Sequence, residues 1–454
     1  MKMTVGEIVD ACGGTLLCGD PDTIVTAVST DSRKIDSGTL FVPIKGERTD
    51  AHTFISATFA AGATATLTQE HDQMNDIHAW IRVSSTLDAL QKIASAYRKK
   101  FRIPFVGITG SVGKTTTKEM VALALSAERN VMKTEGNFNS QIGLPLTLFQ
   151  LTNEHQAAVI EMGMSDFGEM SRLAQIASPD YAVVTNIGIS HIQQLKTQEN
   201  IMKEKLHIID QFNEKSILFL NGDDKFLAGL RGKLKAKIIY FGTQPWCDVR
   251  AEKITTNSNS NSISFTFVAP NVSQQVKLPV LGMHNVLNAL AGLAVAQELG
   301  VSITKAIDKL SDYKTLAMRQ QIHYINEMVV IDDSYNASPD AIRSSVEVLC
   351  SFHTGKRIAV LADMLELGDF SQDAHFQVGV HAAQTGVDVV LTVGKRAIKI
   401  AEGALSVKPD IICYLCENNE EAIGKLKSIL TGGDAVLIKG SRAMQTDQIV
   451  KALL

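Results

Sequence analysis

The chain has 454 residues, with 44 Lys and Arg against 48 Asp and Glu for a formal net charge of -4, and 45% of its residues are hydrophobic. At roughly 150 residues per domain that length predicts about three domains, each large enough for its own core. The acidic balance and the lack of a Lys/Arg-rich run argue against a nucleic-acid partner, and no run of about 18 apolar residues could span a membrane.

Along the chain, Met1 to Asp10 meets acids at Glu7 and Asp10, too early for the apolar core of a secretory signal, so a cytoplasmic location is expected. Short apolar runs at Thr23 to Val28, Leu40 to Ile44, Ala63 to Leu67 and Ala79 to Val83 predict strands of a small α/β domain over 1-84. From Ser84 to Lys100, Leu87, Leu90, Ile93 and Tyr97 recur at helical spacing and predict a helix that links this domain to the next. A central domain over 85-313 follows, with strands at 105 to 109, 157 to 162 and 181 to 187 and helical periodicity between them, hence a parallel sheet. From about 247 to 281 the period becomes two, as in Ile263-Ser-Phe265-Thr-Phe267, around the polar stretch Asn257 to Ser262. This predicts an antiparallel addition with a hairpin tip. A second alternating series over 314-454 has strands at Met328 to Asp332, Arg357 to Ala362, Val387 to Val393, Ile411 to Leu415 and Ala435 to Lys439, a smaller Rossmann-like unit. Of six cysteines only Cys413 and Cys416 have a suggestive spacing, and they lie in a strand-like run with no second pair, so a structural role is expected.

The most informative feature is Thr109-Gly110-Ser111-Val112-Gly113-Lys114-Thr115-Thr116, directly behind the apolar run Phe105 to Ile108. A strand running into a helix N-terminus through glycines leaves backbone N–H groups free to surround phosphate oxygens. Lys114 would lie against the β- and γ-phosphates and the Thr115 hydroxyl would hold Mg²⁺, so a nucleoside triphosphate such as ATP is expected. The usual loop has four residues between its glycines, whereas Gly110 and Gly113 enclose two.

Ligands of open parallel sheets gather beyond the carboxyl ends of the strands. Glu161 and His191 follow two such strands and should share an edge with Lys114, which suits divalent ions beside a triphosphate. Lys205, within Ile201 to Ile208, reads by itself as a solvated helix lysine. Asn285 and Asn288 share a helix face and could reach a base or ribose, with helix capping as the alternative for Asn285. Asp332, Asp333 and Ser334 to Pro339 follow a strand, as do Asp363, Glu366 and Gly368, and Lys439 to Arg442. Lys439 and Arg442 could bind a carboxylate or phosphate, or be surface charges.

With these residues assembled, the chain resembles the Mur ligases of peptidoglycan synthesis from end to end. The short loop is similar to the ATP loop shared with folylpolyglutamate synthases. Asp332-Asp-Ser-Tyr-Asn-Ala-Ser-Pro339, Asp363-Met-Leu-Glu-Leu-Gly368 and Lys439-Gly-Ser-Arg442 resemble the branch that joins D-alanyl-D-alanine to UDP-N-acetylmuramoyl-tripeptide. The resemblance implies Mg²⁺ on Thr115, Glu161 and His191, with Lys205 matching a lysine carbamylated in several relatives. It implies adenosine contacts from Asn288, Arg319 and Asp333, and substrate contacts from Asn137, Asn139, Tyr335, Asn336, Lys439 and Arg442. Near the N-terminus it implies a UDP-sugar site at Ser29, Asp31, Ser32, Arg33, Lys45, Gly46, Asp50 and His52. A monomer with small-molecule substrates is expected. Two alternatives stay open: a ligase that adds glutamate to folate or the third residue to the muramoyl dipeptide, and a P-loop ATPase that uses Asp332 as a second metal ligand. No Asn-Lys-x-Asp string supports a GTPase.

Overall fold

The computed structural model describes residues 1–46, 49–353 and 355–454. Three large sheets follow one another along the chain, each with its own helices, and a two-stranded antiparallel pair, Met3–Thr4 with Ile24–Val25, accompanies the first, so the architecture is three α/β units. The first is five-stranded, in the order Thr15–Cys18, Ala79–Arg82, Ala65–Thr68, Thr39–Phe41, Ala27–Ser29. Its Thr15–Cys18 strand, which the apolar pattern misses, pairs antiparallel with Ala79–Arg82 at the sheet edge. All four of its residues are half-buried or exposed, so it lacks the apolar alternation that marks a strand.

The helix Thr86–Arg98 starts where the Ser85 hydroxyl accepts from the Asp88 N–H. At its other end the Arg98 guanidinium lies 3.9 Å over the Phe105 ring and donates to the carbonyls of Ala177 and Ser178. The linking helix is thereby fastened to the central unit.

The central sheet has nine strands. Phe105–Thr109 lies between Ala157–Glu161 and Tyr181–Val184, parallel to both, and all residues of the first two are buried. Burial on both faces explains why these strands read as continuous apolar runs. Because the chain leaves Phe105–Thr109 toward one side and returns to pair on the other, this strand is the topological switch point. The antiparallel addition is Val249–Asn257, Ser262–Ala269 and Val272–Leu278, with the first hairpin turning at Ser258–Ser260. Against the sheet, Lys114–Leu125 crosses the small-residue helix Met283–Glu298, where a Cβ on Gly292 would stand 3.1 Å from the Met120 carbonyl oxygen.

The third sheet runs Gln321–Ile325, Met328–Asp332, Ala435–Lys439, Arg357–Ala362, Val389–Val393, Ile412–Cys416. Its antiparallel edge strand Gln321–Ile325 was not expected from the sequence. It turns into Met328–Asp332 through Asn326 and Glu327, both at positive φ (47° and 67°). Cys413 and Cys416 lie in the edge strand Ile412–Cys416, and both are free thiols. No helix among the described residues is long and apolar enough to cross a membrane.

Candidate active site

The phosphate loop leaves Phe105–Thr109 through Gly110 at φ 150° and enters Lys114–Leu125 through Gly113 at φ 84°, both conformations that L side chains resist. A Cβ on Gly110 would stand 1.8 Å from the Thr185 hydroxyl oxygen, so the glycine is required by space as well as by φ. The loop is clamped from the neighbouring strand end. Asn186 accepts from the Val112 N–H at 2.8 Å, its side-chain amide donates back to the Val112 carbonyl at 3.1 Å, and its own carbonyl accepts from the Ser111 N–H. The Ser111 hydroxyl accepts from the Gly188 N–H. Asn186 carries no signal of this role in the sequence, because a polar residue after a strand has no periodic signature.

Lys114 folds back on this loop, its ammonium donating to the Gly110 carbonyl at 2.8 Å. Burial pushes its pKa down, with Glu161 nearby acting in the opposite sense. Thr115 is buried beside it. Glu161, 2% exposed, accepts from the Asn139 amide at 2.7 Å through one oxygen, while its Oε2 is buried without a partner. An unpartnered carboxylate oxygen beside a phosphate loop costs a few kcal/mol unless a cation meets it, so the donor set fits a divalent metal ion. Thr134 fixes this strand end by accepting from the Glu161 N–H, and the buried Lys118 ammonium donates to the Thr134 carbonyl.

His191, at φ 62°, follows Tyr181–Val184 and lines the same cavity. Its Nδ1 lies 2.8 Å from Glu366 Oε2 of the third unit, a hydrogen bond that lowers the Glu366 pKa. Lys205 departs from its sequence reading as a solvated lysine: the helix Gln198–Leu206 buries it to 1% exposure. Burial, with the Lys114 charge adding to it, holds its pKa well below the ordinary lysine value.

The cavity, about 830 Å³, lies between the central and third units. It is lined by Ser111 to Thr116, Asn137, Asn139, Glu161, His191, Asn288, Arg319, Asp333, Tyr335, Asn336, Lys439 and Arg442. Thr109, Gly110 and Lys205 are not among its lining residues. Several of these groups are already engaged. Asn288 accepts from the Thr117 hydroxyl at 2.9 Å and donates to Asn285, whose amide donates to the Leu281 carbonyl rather than capping the helix. Asp333 accepts from the Gln320 N–H, the Ser345 hydroxyl and the Lys439 ammonium, which makes Lys439 a buried partner of Asp333 instead of a surface charge. The Arg319 guanidinium stacks 4.0 Å over the Tyr335 ring. Asp332, the second metal ligand of the ATPase alternative, accepts from the Ser334 N–H and hydroxyl.

The residues expected to receive a UDP-sugar lie outside this cavity, on the first unit. Ser29 caps the Asp31 N–H, and Arg33 makes a two-pronged pair with Asp31 that holds its carboxyl down to about 2. Ser32 is half-buried between them. His52 is buried, its Nδ1 2.6 Å from Asp50 and its Nε2 accepting from the Gln69 N–H. Asp50, His52 and Glu70 have a spacing that could hold a metal ion, but the Lys45 ammonium already lies 3.5 Å from Asp50 and 3.7 Å from Glu70. The Gly46 N–H donates to the Thr49 carbonyl.

A phosphate loop at a switch point, faced by a carboxylate and an imidazole and closed by a second Rossmann-like unit, is the arrangement of an amide-forming ligase. Three family models match in chain order: the Mur ligase family catalytic domain over residues 24–98, the Mur ligase middle domain over 108–296, and the Mur ligase glutamate ligase domain over 318–442. The chain belongs to the Mur ligase family. It is similar to the UDP-N-acetylmuramoyl-tripeptide--D-alanyl-D-alanine ligase of Bacillus subtilis, 36% identical over 100% of this chain and 99% of that protein. The protein of the same name from Escherichia coli is 32% identical over 100% and 98%. Among solved structures, MurF from Acinetobacter baumannii superposes with a TM-score of 0.92 at 30% identity, covering 100% of this chain and 99% of that one. MurF ligase from Thermotoga maritima in complex with ADP gives 0.85 at 31% identity, covering 94% and 97%.

Proposed function

We propose that the chain is an ATP-dependent ligase that joins D-alanyl-D-alanine to UDP-N-acetylmuramoyl-tripeptide through an acyl phosphate, in the cytoplasmic stage of peptidoglycan synthesis and as a monomer. The observation that carries the reaction type is the single cavity that gathers Lys114, Thr115, the free oxygen of Glu161 and the cations of the third unit. The substrate is supported by end-to-end similarity to relatives bearing that name.

A carboxylate does not condense with an amine in water because its oxygen is a poor leaving group. In the first step a carboxylate oxygen of the tripeptide attacks the γ-phosphorus of ATP and the bond to the β-phosphate oxygen breaks, giving the acyl phosphate and ADP. The loop N–H groups hold the phosphates, and Lys114 exchanges its carbonyl contacts for the oxygens that gain charge. Thr115, Glu161 and His191 would hold Mg²⁺, which supplies charge neutralisation between the phosphates. In the second step the dipeptide amine attacks the acyl carbon, phosphate leaves, and the amine proton passes to solvent or to phosphate. Arg319 stacked on Tyr335 and the docked third unit keep water from the acyl phosphate. Asn137, Asn139, Asn336 and Arg442 face the same space and are the groups to orient the peptide. Ser29 to Arg33 and Lys45 to His52 on the first unit would receive the UDP-sugar.

Lys205 fits a carbamate. A lysine whose pKa is depressed presents a neutral amine, which adds CO₂ to give an anionic carbamate and one proton. The test of the whole reading is phosphate release from ATP with UDP-N-acetylmuramoyl-tripeptide, with and without D-alanyl-D-alanine. Release that requires all three substrates is expected. ATP hydrolysis indifferent to the dipeptide would reject the ligase in favour of a simple ATPase.

A further inference from the structure

Glu366 has no part in the chemistry above, yet it reaches from the third unit onto His191 of the central unit. Its loop is built to hold still. The Met364 N–H donates to His375 Nε2 at 2.9 Å, the Leu365 N–H to the Ser441 hydroxyl at 2.9 Å, and the Ala397 N–H to Asp363 at 2.7 Å. Glu366 itself stands at φ 63°, which turns its carboxylate out of this frame. Two contacts then cross the domain boundary: Glu366 Oε2 to His191 Nδ1 at 2.8 Å, and the Gln193 N–H to the Glu366 carbonyl at 3.4 Å. Gly368 completes the contact, since a Cβ there would stand 3.2 Å from the Gln193 side chain.

A carboxylate beside Nδ1 accepts a hydrogen bond from the ring N–H there, which keeps the proton on Nδ1 and leaves Nε2 with its lone pair, the tautomer that ligates a metal. We propose that Glu366 is the positioning residue of His191, so that docking of the third unit onto the central unit completes the metal site. This inference rests on the reading of His191 as a metal ligand. The third unit thus carries no metal ligand of its own here, yet the site reaches full affinity only when that unit is docked.

The test is Mn²⁺ binding to ADP-saturated protein at fixed pH, followed through the electron paramagnetic resonance signal of the free ion, with the thermal midpoint measured alongside. Loss of an outer partner of a metal-bound histidine typically weakens the metal by about 10- to 100-fold. Glu366→Ala should weaken Mn²⁺ by that order, and Glu366→Gln, whose amide oxygen can accept the same N–H, by less. In the His191→Ala background Glu366→Ala should change nothing further. Unaltered Mn²⁺ affinity in Glu366→Ala, with a lowered thermal midpoint, would make the pair a mere tether and overturn the proposal. Weakening that persists in the His191→Ala background would overturn it too, because Glu366 would then act by another route. Full Mn²⁺ affinity in His191→Ala alone would instead remove the metal-ligand reading, and this inference with it.

Discussion

A buried ammonium is costly unless paired, and Lys205 is both buried and near the like charge of Lys114. Carbamylation of the neutral amine removes that cost and leaves an anion that a metal ion can meet. Lys205→Ala should therefore fold and lose turnover by about 10²-fold or more, the scale seen when one preorganised electrostatic group is removed. Added acetate or another short carboxylate should restore part of it, and a variant that no such anion rescues would leave the carbamate without support. His375 makes a second prediction at this scale. It is fully buried, its Nδ1 bonds the Ser371 carbonyl and its Nε2 accepts from the Met364 N–H. Burial lowers its pKa, Asp363 pulls the other way and Arg396 adds to the lowering. With the folded pKa below the unfolded value of about 6.5, the unfolded state binds more protons on acidification. The stabilisation is complete above about 6.5 and is lost as the pH falls below it, because a protonated Nε2 would face the Met364 N–H. Thermal midpoints measured from pH 8 to 5 should fall toward acid, and His375→Gln should flatten that fall. An equal slope in both proteins would acquit His375.

Among the elements, the phosphate loop is the one whose geometry leaves no freedom. Gly110→Ala places a Cβ on the Thr185 hydroxyl in a φ region that costs about 1–3 kcal/mol for an L side chain. That strain, carried by the loop that holds the phosphates, should weaken ADP by about tenfold or more in a calorimetric titration, since 1.4 kcal/mol is tenfold. ADP affinity at the wild-type value would show that Thr185 can yield. This loop was legible in the sequence because its chemistry is local: a strand, two glycines and a Lys-Thr pair at fixed spacing. Glu161 and His191 were legible as positions because strand ends of a parallel sheet converge. Asn186, the contact of Glu366 with His191 and the burial of Lys205 were not, since each depends on a partner far along the chain. The edge strands Thr15–Cys18 and Gln321–Ile325 were missed for a related reason. Both are half-exposed, and the Asn326-Glu327 turn lacks the glycine that usually announces a tight hairpin.

For the whole molecule, the question is what holds the third unit over the phosphate loop. The chain crosses between the two units at Leu316 to Gln320, where Met318 and Gln320 take positive φ of 62° and 54° without being glycine. Gln320 anchors both sides. Its side chain donates to the Leu281 carbonyl at 2.9 Å and meets His284 Nε2 at 2.7 Å on the central unit, while its N–H donates to Asp333 on the third. Burial lowers the His284 pKa, so the ring is held neutral and donates from Nε2 to the Gln320 oxygen. Two substitutions separate strain from anchoring. Gln320→Ala keeps the left-handed penalty and removes both side-chain bonds, at about 1–3 kcal/mol of stability. Gln320→Gly removes the same bonds but relieves about 1 kcal/mol of backbone strain, so it should unfold at higher denaturant than the alanine variant. Both should lengthen the radius of gyration of the nucleotide-free protein in small-angle scattering, because the unit is freed at its hinge, and saturating ADP should draw it back. If the two variants scatter like the parent, the docking is held by contacts away from the hinge, such as Glu366 with His191 and Gln193, and the hinge is a passive connector.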